Sequence, residues 1–421
     1  MNRRVLYIII FILAILIFGF LIYYVFFREI ISPPANNANV ANVNIAPPTN
    51  LVGNVNRVIT NVNGAVNVNE VFINTNAPAV NKVVEPEAVA RGGLTLAKTM
   101  ISKYSMAPTL TNDGTMIYYE PDSNKFYSLS PDGKTKKELT DKKFPSAEKI
   151  TWAPSKDKAI IEFPDNTKII YDFNNDKQTT LPSEWQDVSF SPQGNQVAYK
   201  YMADNVDDRW LAVASPDGTQ VQAIEPIGDK QDDVQVAWSP NNQVVATYRE
   251  SIDSERQQII FIGLHDENFK SLTTTGRGFE GLWSPKGDKI LYSVYNAYSD
   301  YNPVLRIVDA EGDNIGQNDK SLGVQTWSSK CAFSSDNNDV YCAVPDNLDE
   351  GSGLMPESAD SKTDTFYKIN LQNGLKSILA MPESETGEAS FSAASVFLSQ
   401  DENYLYFTDK LTGKVYQIKL K

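Results

Sequence analysis

Trp238-Ser239-Pro240-Asn241-Asn242 and Trp283-Ser284-Pro285-Lys286-Gly287 are two copies of one short pattern. The pattern returns at Trp152-Ala153-Pro154 and Phe190-Ser191-Pro192-Gln193-Gly194. It returns in weaker form at Leu110 (LTNDGTMIYY), Phe333 (FSSDNNDVYC) and Phe397 (FLSQDENYLYF). Successive copies start 38 to 64 residues apart, room for one four-stranded unit each plus insertions.

Each position has a physical reason. The aromatic or Leu ends a strand and packs between neighbouring units, and Ser-Pro interrupts the ladder where a missing N–H is tolerated. Four residues after the aromatic stand Gly114, Gly194, Asn242, Gly287, Asn337 and Asp401, types that accept positive φ and so close a hairpin. Lys156 breaks this rule, so a different turn is expected there. Third strands and Gly turns follow (FYSLSPDG, LAVASPDG, LRIVDAEG, YKINLQNG), then fourth strands such as KKELT and KSLTT. The last copy has three strands, and GLTLAKTMIS, beginning at Gly93, supplies the fourth from the other end of the domain. The expected fold is all-β: a seven-bladed β-propeller of four-stranded antiparallel blades over 93–421, with six to eight blades left open by the three weak copies.

These Trp-Ser-Pro-x-Gly units resemble the WD-like repeats of TolB-type propellers, which also occur in the propeller domains of prolyl oligopeptidases. The resemblance covers about residues 93–421. It implies an envelope propeller that binds protein partners, and a bacterial source. The chain departs from the TolB pattern in its seven repeats, its lack of a recognisable N-terminal α/β domain and its anchor-like N-terminus.

Val5–Phe27 (VLYIIIFILAILIFGFLIYYVFF) carries no charge, and at 1.5 Å per residue it is about 35 Å long, enough to cross a bilayer core. Arg3 and Arg4 precede it, which by the positive-inside rule puts residues 1–4 in the cytoplasm and the rest outside. Bulky Tyr23, Tyr24, Phe26 and Phe27 stand where a cleaved signal would have small residues, so 5–27 reads as an uncleaved signal-anchor. Residues 28–92 are rich in Asn, Val and Ala and nearly uncharged, a composition expected of a disordered tether. Such a coil would span roughly 45 Å. The expected location is therefore a bacterial plasma membrane, single-pass, with the propeller extracytoplasmic.

Composition excludes several function classes. A formal charge of −14 with no basic cluster disfavours nucleic acid. The single histidine, His265, falls in a predicted turn, and there is no Gly-x-Ser-x-Gly elbow, so a hydrolase triad has no parts. Gly276-Arg277-Gly278-Phe279-Glu280-Gly281 matches a dinucleotide fingerprint in letters but leads into a strand where a helix is required, so no nucleotide is expected. Asp204, Asp207 and Asp208, and Asp229, Asp232 and Asp233, form acidic runs without EF-hand spacing. They read as solvated loops, with Ca²⁺ the alternative and no metal ligand assigned. Cys331 and Cys342 flank the Phe333 turn symmetrically and either form a cross-strand disulfide or serve as two buried thiols.

Insertions collect in the loops of one face, at 204–209, 251–256, 295–302 and 346–363, the last read as polar and disordered. Loops on a rigid scaffold are where binding residues concentrate. Arg249, Arg277, Tyr298, Asp300 and Tyr301 are the candidate partner contacts, since Tyr and Arg make good anchors. The expected role is a scaffold binding an envelope protein or glycan, with no catalytic residues and no cofactor. The alternative is a metal-dependent lyase or hydrolase with an acidic site at the channel.

Overall fold

The computed structural model describes residues 85–421 apart from Asp266 and Asn268. The expected membrane segment at 5–27 and nearly all of the 28–92 tether lie outside the described residues. Among the described residues no helix is long and apolar enough to cross a membrane. The helical elements described are 3₁₀ turns of three or four residues, and all else that is regular is strand.

Five four-stranded antiparallel sheets follow one another along the chain, each laid out in sequence order. The first is Met106–Leu110, Met116–Glu120, Lys125–Leu129 and Lys136–Glu138; the fifth starts at Arg277–Trp283 and ends at Lys320–Ser321. First strands of neighbouring blades touch, Met106–Leu110 against Lys149–Trp152 and Trp185–Phe190 against Val234–Val236. The Trp152 indole N–H, in the second blade, donates to the Ala107 carbonyl of the first at 2.8 Å, and Trp283 donates to Ala237 at 3.3 Å. In these two repeats the aromatic stitches one blade to the one before it, whereas the Trp238 indole N–H is buried without a partner. Around Trp152, Phe126 meets it edge-on at 5.5 Å and Phe144 and Phe173 close the cluster. Burying aromatics of this size is the main favourable term between blades.

The expectation of seven separate four-stranded blades is corrected. Five stand alone, and the other eight strands form one continuous sheet, which runs Cys331–Phe333, Asp339–Pro345, Asp364–Asn370, Lys376–Ser384, Leu94–Ile101, Val415–Lys419, Tyr404–Asp409, Ala393–Leu398. Leu94–Ile101 causes the fusion by pairing on both edges. It is antiparallel to Val415–Lys419 (Ala97 opposite Ile418) and parallel to the end of Lys376–Ser384 (Leu94 opposite Met381). Lys376–Ser384, nine residues long, outruns its partner Asp364–Asn370, and the overhang presents free backbone groups that the 94–97 segment satisfies. Residues on the way in add bonds from Ala90 N–H to Lys419 O at 2.8 Å and from Gly92 N–H to Leu379 O at 2.9 Å.

The Ser-Pro turns close as their chemistry requires. Ser239 Oγ accepts from Val244 N–H at 2.9 Å, and Asn242, at φ 62°, donates back to Ser239 O. Two details differ from expectation. Lys156 takes the same left-handed conformation (φ 62°) in the same turn, its N–H donating to Ala153 O at 2.9 Å. In the last repeat Glu402, not Asp401, is the left-handed residue, because Leu398 rather than Phe397 occupies the aromatic position and Ser399 caps the turn.

Candidate functional site

The start of each inner strand opens on the face that carries the long loops. There a cavity of about 740 Å³ is ringed by Lys149 and Thr151 of the second blade, Asp187 and Ser189 of the third, Gln235 of the fourth and Glu280 of the fifth, with Trp327 beside them. Lys149, Asp187, Gln235 and Glu280 each stand three residues before the repeat aromatic. Along an inner strand that position turns its side chain to the axis, since residues alternate faces and the aromatic packs the other way. Three inner strands carry bulges beside this ring, with Ala107, Asp187 and Gly278 at positive φ.

The charges of the ring are mostly met within the protein. Lys200 pairs with Asp187 and donates to Gln231 O at 2.8 Å and Val234 O at 3.1 Å. Lys149 lies 3.1 Å from Glu162, and Glu280 accepts from Ser329 N–H at 3.0 Å. Beside Glu280, Lys330 Nζ and Asp364 are buried together 2.8 Å apart, and Asp364 also accepts from Ala393 N–H at 2.5 Å. Burial pushes the Asp364 carboxyl up and the Lys330 ammonium down, each partly restored by the other's charge. Ser293, 1% exposed in the cavity wall, has a hydroxyl with no protein partner.

The rim is built from three insertions tied together. Gly351 N–H donates to Asp300 O and Gly353 N–H to Tyr301 O, both at 2.8 Å, while Ser352 N–H reaches Asn302 Oδ1 at 3.2 Å. On the other side Ala297 N–H donates to Glu255 at 3.2 Å. Residues 346–363, expected to be disordered, instead form an ordered wall with a 3₁₀ turn at Pro356–Ala359 and with Ser352 and Ala359 buried. Gly353 makes this possible, since a Cβ there would come within 2.6 Å of Tyr301 O. Above the wall Tyr298 is 97% exposed, Met355 62% and Leu354 55%, with Ile252 of the adjoining loop 45% exposed.

The five candidate contacts are therefore distributed over one face. Arg249 lines the cavity and donates to Asp232 O at 2.6 Å. Arg277 donates to Asp253 O at 2.8 Å on the rim. Tyr298 projects outward, whereas Asp300 and Tyr301, both left-handed, serve the rim through their carbonyls. Sequence reasoning missed Lys149, Asp187, Lys200, Gln235, Glu280, Trp327, Leu354 and Met355. A polar residue three before each aromatic was the legible signal for four of them.

The other motifs resolve structurally. The glycines of 276–281 sit at a bulge where a Cβ on Gly278 would run into the Tyr295 ring. His265 is an exposed turn residue. Asp204, Asp207 and Asp208 are exposed around the 3₁₀ turn Val206–Asp208, and among the described residues no group of three or more His, Cys, Asp or Glu could hold a metal. Cys331 and Cys342 sit directly opposite, Cα atoms 4.1 Å apart, and are joined by a disulfide.

No protein-family model and no curated protein matches the chain. Among solved structures, the β-propeller domain of Myceliophteria thermophila Cps50 (Swd1) is similar, with a TM-score of 0.50 and 10% identity over 77% of this chain and 100% of that one. The tricorn protease gives a TM-score of 0.48 and 9% identity over 77% of this chain and 34% of that one. An oligogalacturonate lyase in complex with manganese gives 0.47 and 12% over 76% and 90%. At 10% identity the likeness to the Cps50 domain speaks to fold alone, and the fold is a β-propeller.

Proposed function

We propose that this chain is a protein-binding propeller scaffold of the TolB-like kind, held outside the cytoplasm, with the long-loop face as its working face. The observation that carries this reading is the rim: three insertions bonded to one another hold Tyr298, Leu354 and Met355 in the open over a polar cavity. With the loop backbone already held by these bonds, binding has only the side-chain rotamers left to order, which suits exposed Tyr, Leu and Met to serve as interface anchors. The disulfide and the apolar run at 5–27 support an oxidising, extracytoplasmic location. The metal-dependent alternative has less behind it: the channel carboxylates Asp187 and Glu280 are engaged by Lys200 and Ser329.

Photo-crosslinking in intact cells tests the face. A crosslinking residue at Tyr298 or Met355 should give one discrete protein adduct, and one at Glu311 on the opposite turns should give none. Equal yields from both faces, no adduct at all, or adducts to glycan only, would overturn the reading. A C-terminal alkaline phosphatase fusion tests the location: activity is expected, and an inactive, cytoplasmic fusion would refute it.

A further inference from the structure

The loops that build and surround the rim are strongly acidic. Residues 202–209, 227–233, 250–256, 296–303 and 346–363 hold fifteen Asp and Glu against four bases, Arg209, Lys230, Arg256 and Lys362. Arg249 and Arg277 on the same face raise the bases to six, and the excess of nine acids is still most of the chain's formal charge of −14. Asp204, Asp207, Asp208, Asp229, Asp232, Asp253, Asp349, Glu350 and Glu357 are all exposed there. Of the carboxylates bonded within the loops, Asp253 is held by Arg256 at 2.8 Å and Asp349 by Lys362 at 2.8 Å, which leaves the acids in large excess. Within this ring of charge stand the exposed apolar side chains, and below them the cavity with the unpartnered hydroxyl of Ser293. An acidic field around apolar anchors is complementary to one kind of partner surface: positive charge flanking an apolar side chain.

We infer that the partner presents a lysine- or arginine-rich polypeptide segment, whose apolar side chain packs on Tyr298, Leu354 and Met355 while its cations face the acidic loops. The inference rests on the reading of this face as the binding face. It makes association fast at low salt and sensitive to ionic strength, since exposed charges are screened over about 8 Å at physiological salt.

The test uses the full chain in detergent and two fluorescein-labelled synthetic peptides of equal length, one alternating lysine with leucine in amphipathic order, the other with glutamate replacing lysine. Fluorescence anisotropy should show the lysine peptide binding at least about tenfold more tightly, with affinity falling as salt rises. Asp204→Asn, Asp229→Asn and Glu350→Gln together, or Tyr298→Ala alone, should weaken it by about tenfold. Glu267→Gln, Glu311→Gln and Asp313→Asn, an equal neutralisation on the opposite turns, should leave it unchanged. Equal losses from both sets would mean attraction to net charge only and would overturn the inference. So would comparable binding of the glutamate peptide, or binding of neither. If Tyr298 crosslinks a protein in cells while the lysine peptide fails to bind, the inference about charge falls and the assignment of the face stands.

Discussion

Removing the Cys331–Cys342 bond should destabilise the domain by an amount set by the unfolded chain. The two residues are a directly opposed pair on the hairpin Cys331–Phe333 and Asp339–Pro345, with a sequence separation of 11. Their Cα atoms lie 4.1 Å apart across the two strands. Closing a loop of this size restricts the unfolded chain by about 3 kcal/mol in the chain-entropy account. For a domain of this length that corresponds to a fall in Tm of about 4 °C. Because both sulfurs are buried, reductant should reach them only after opening. Urea unfolding of the oxidised protein and of the Cys331→Ala/Cys342→Ala variant gives the difference directly, and thiol titration of the native protein should find no free thiol. Two titratable thiols in native oxidised protein, or a difference below about 1 kcal/mol, would overturn this account.

Lys330→Ala should cost about 3–5 kcal/mol by leaving Asp364 buried without its cation, whereas Lys330→Met with Asp364→Leu should recover most of that. Urea midpoints of the two variants decide it, and an equal loss in both would show that packing, not the ion pair, was lost. The turn aspartates make acid stability predictable. Hydrogen bonds from Ser334 and from Asn338 hold the Asp336 carboxyl down to about 2, and the same geometry lowers Asp132 and Asp401. A carboxyl lowered on folding adds stability that is present above its unfolded value of 3.8 and lost as pH falls towards 2. Tm should therefore drop between about pH 4 and pH 2, and Asp336→Asn should flatten part of that drop; an unchanged profile would sink the assignment.

What was legible in the sequence was local. Ser239 and Asn242 announce a hairpin because the serine hydroxyl and a positive φ close it within six residues. The opposition of Cys331 and Cys342 was equally readable, being counted from one turn. Misreadings arose where a local letter had two placements: Phe397 for Leu398 shifted the last turn by one residue, and the polar letters of 346–363 read as disorder although their backbone finds partners in 300–302. The candidate contacts were found as a face rather than as a site. Arg249 lines the cavity, but the ring around it is assembled from residues in different blades.

The repeat, the turns, the strand alternation and the acidic loops could be read along the chain, since each depends on near neighbours in it. Folding in three dimensions is what bonds Leu94–Ile101 on both edges, merging eight strands into one sheet, and what brings Lys149, Asp187, Gln235 and Glu280 around one cavity. Those outcomes depend on which free strand edge lies within hydrogen-bond reach and on how far each blade is turned about the axis, quantities set by packing between segments distant in the chain.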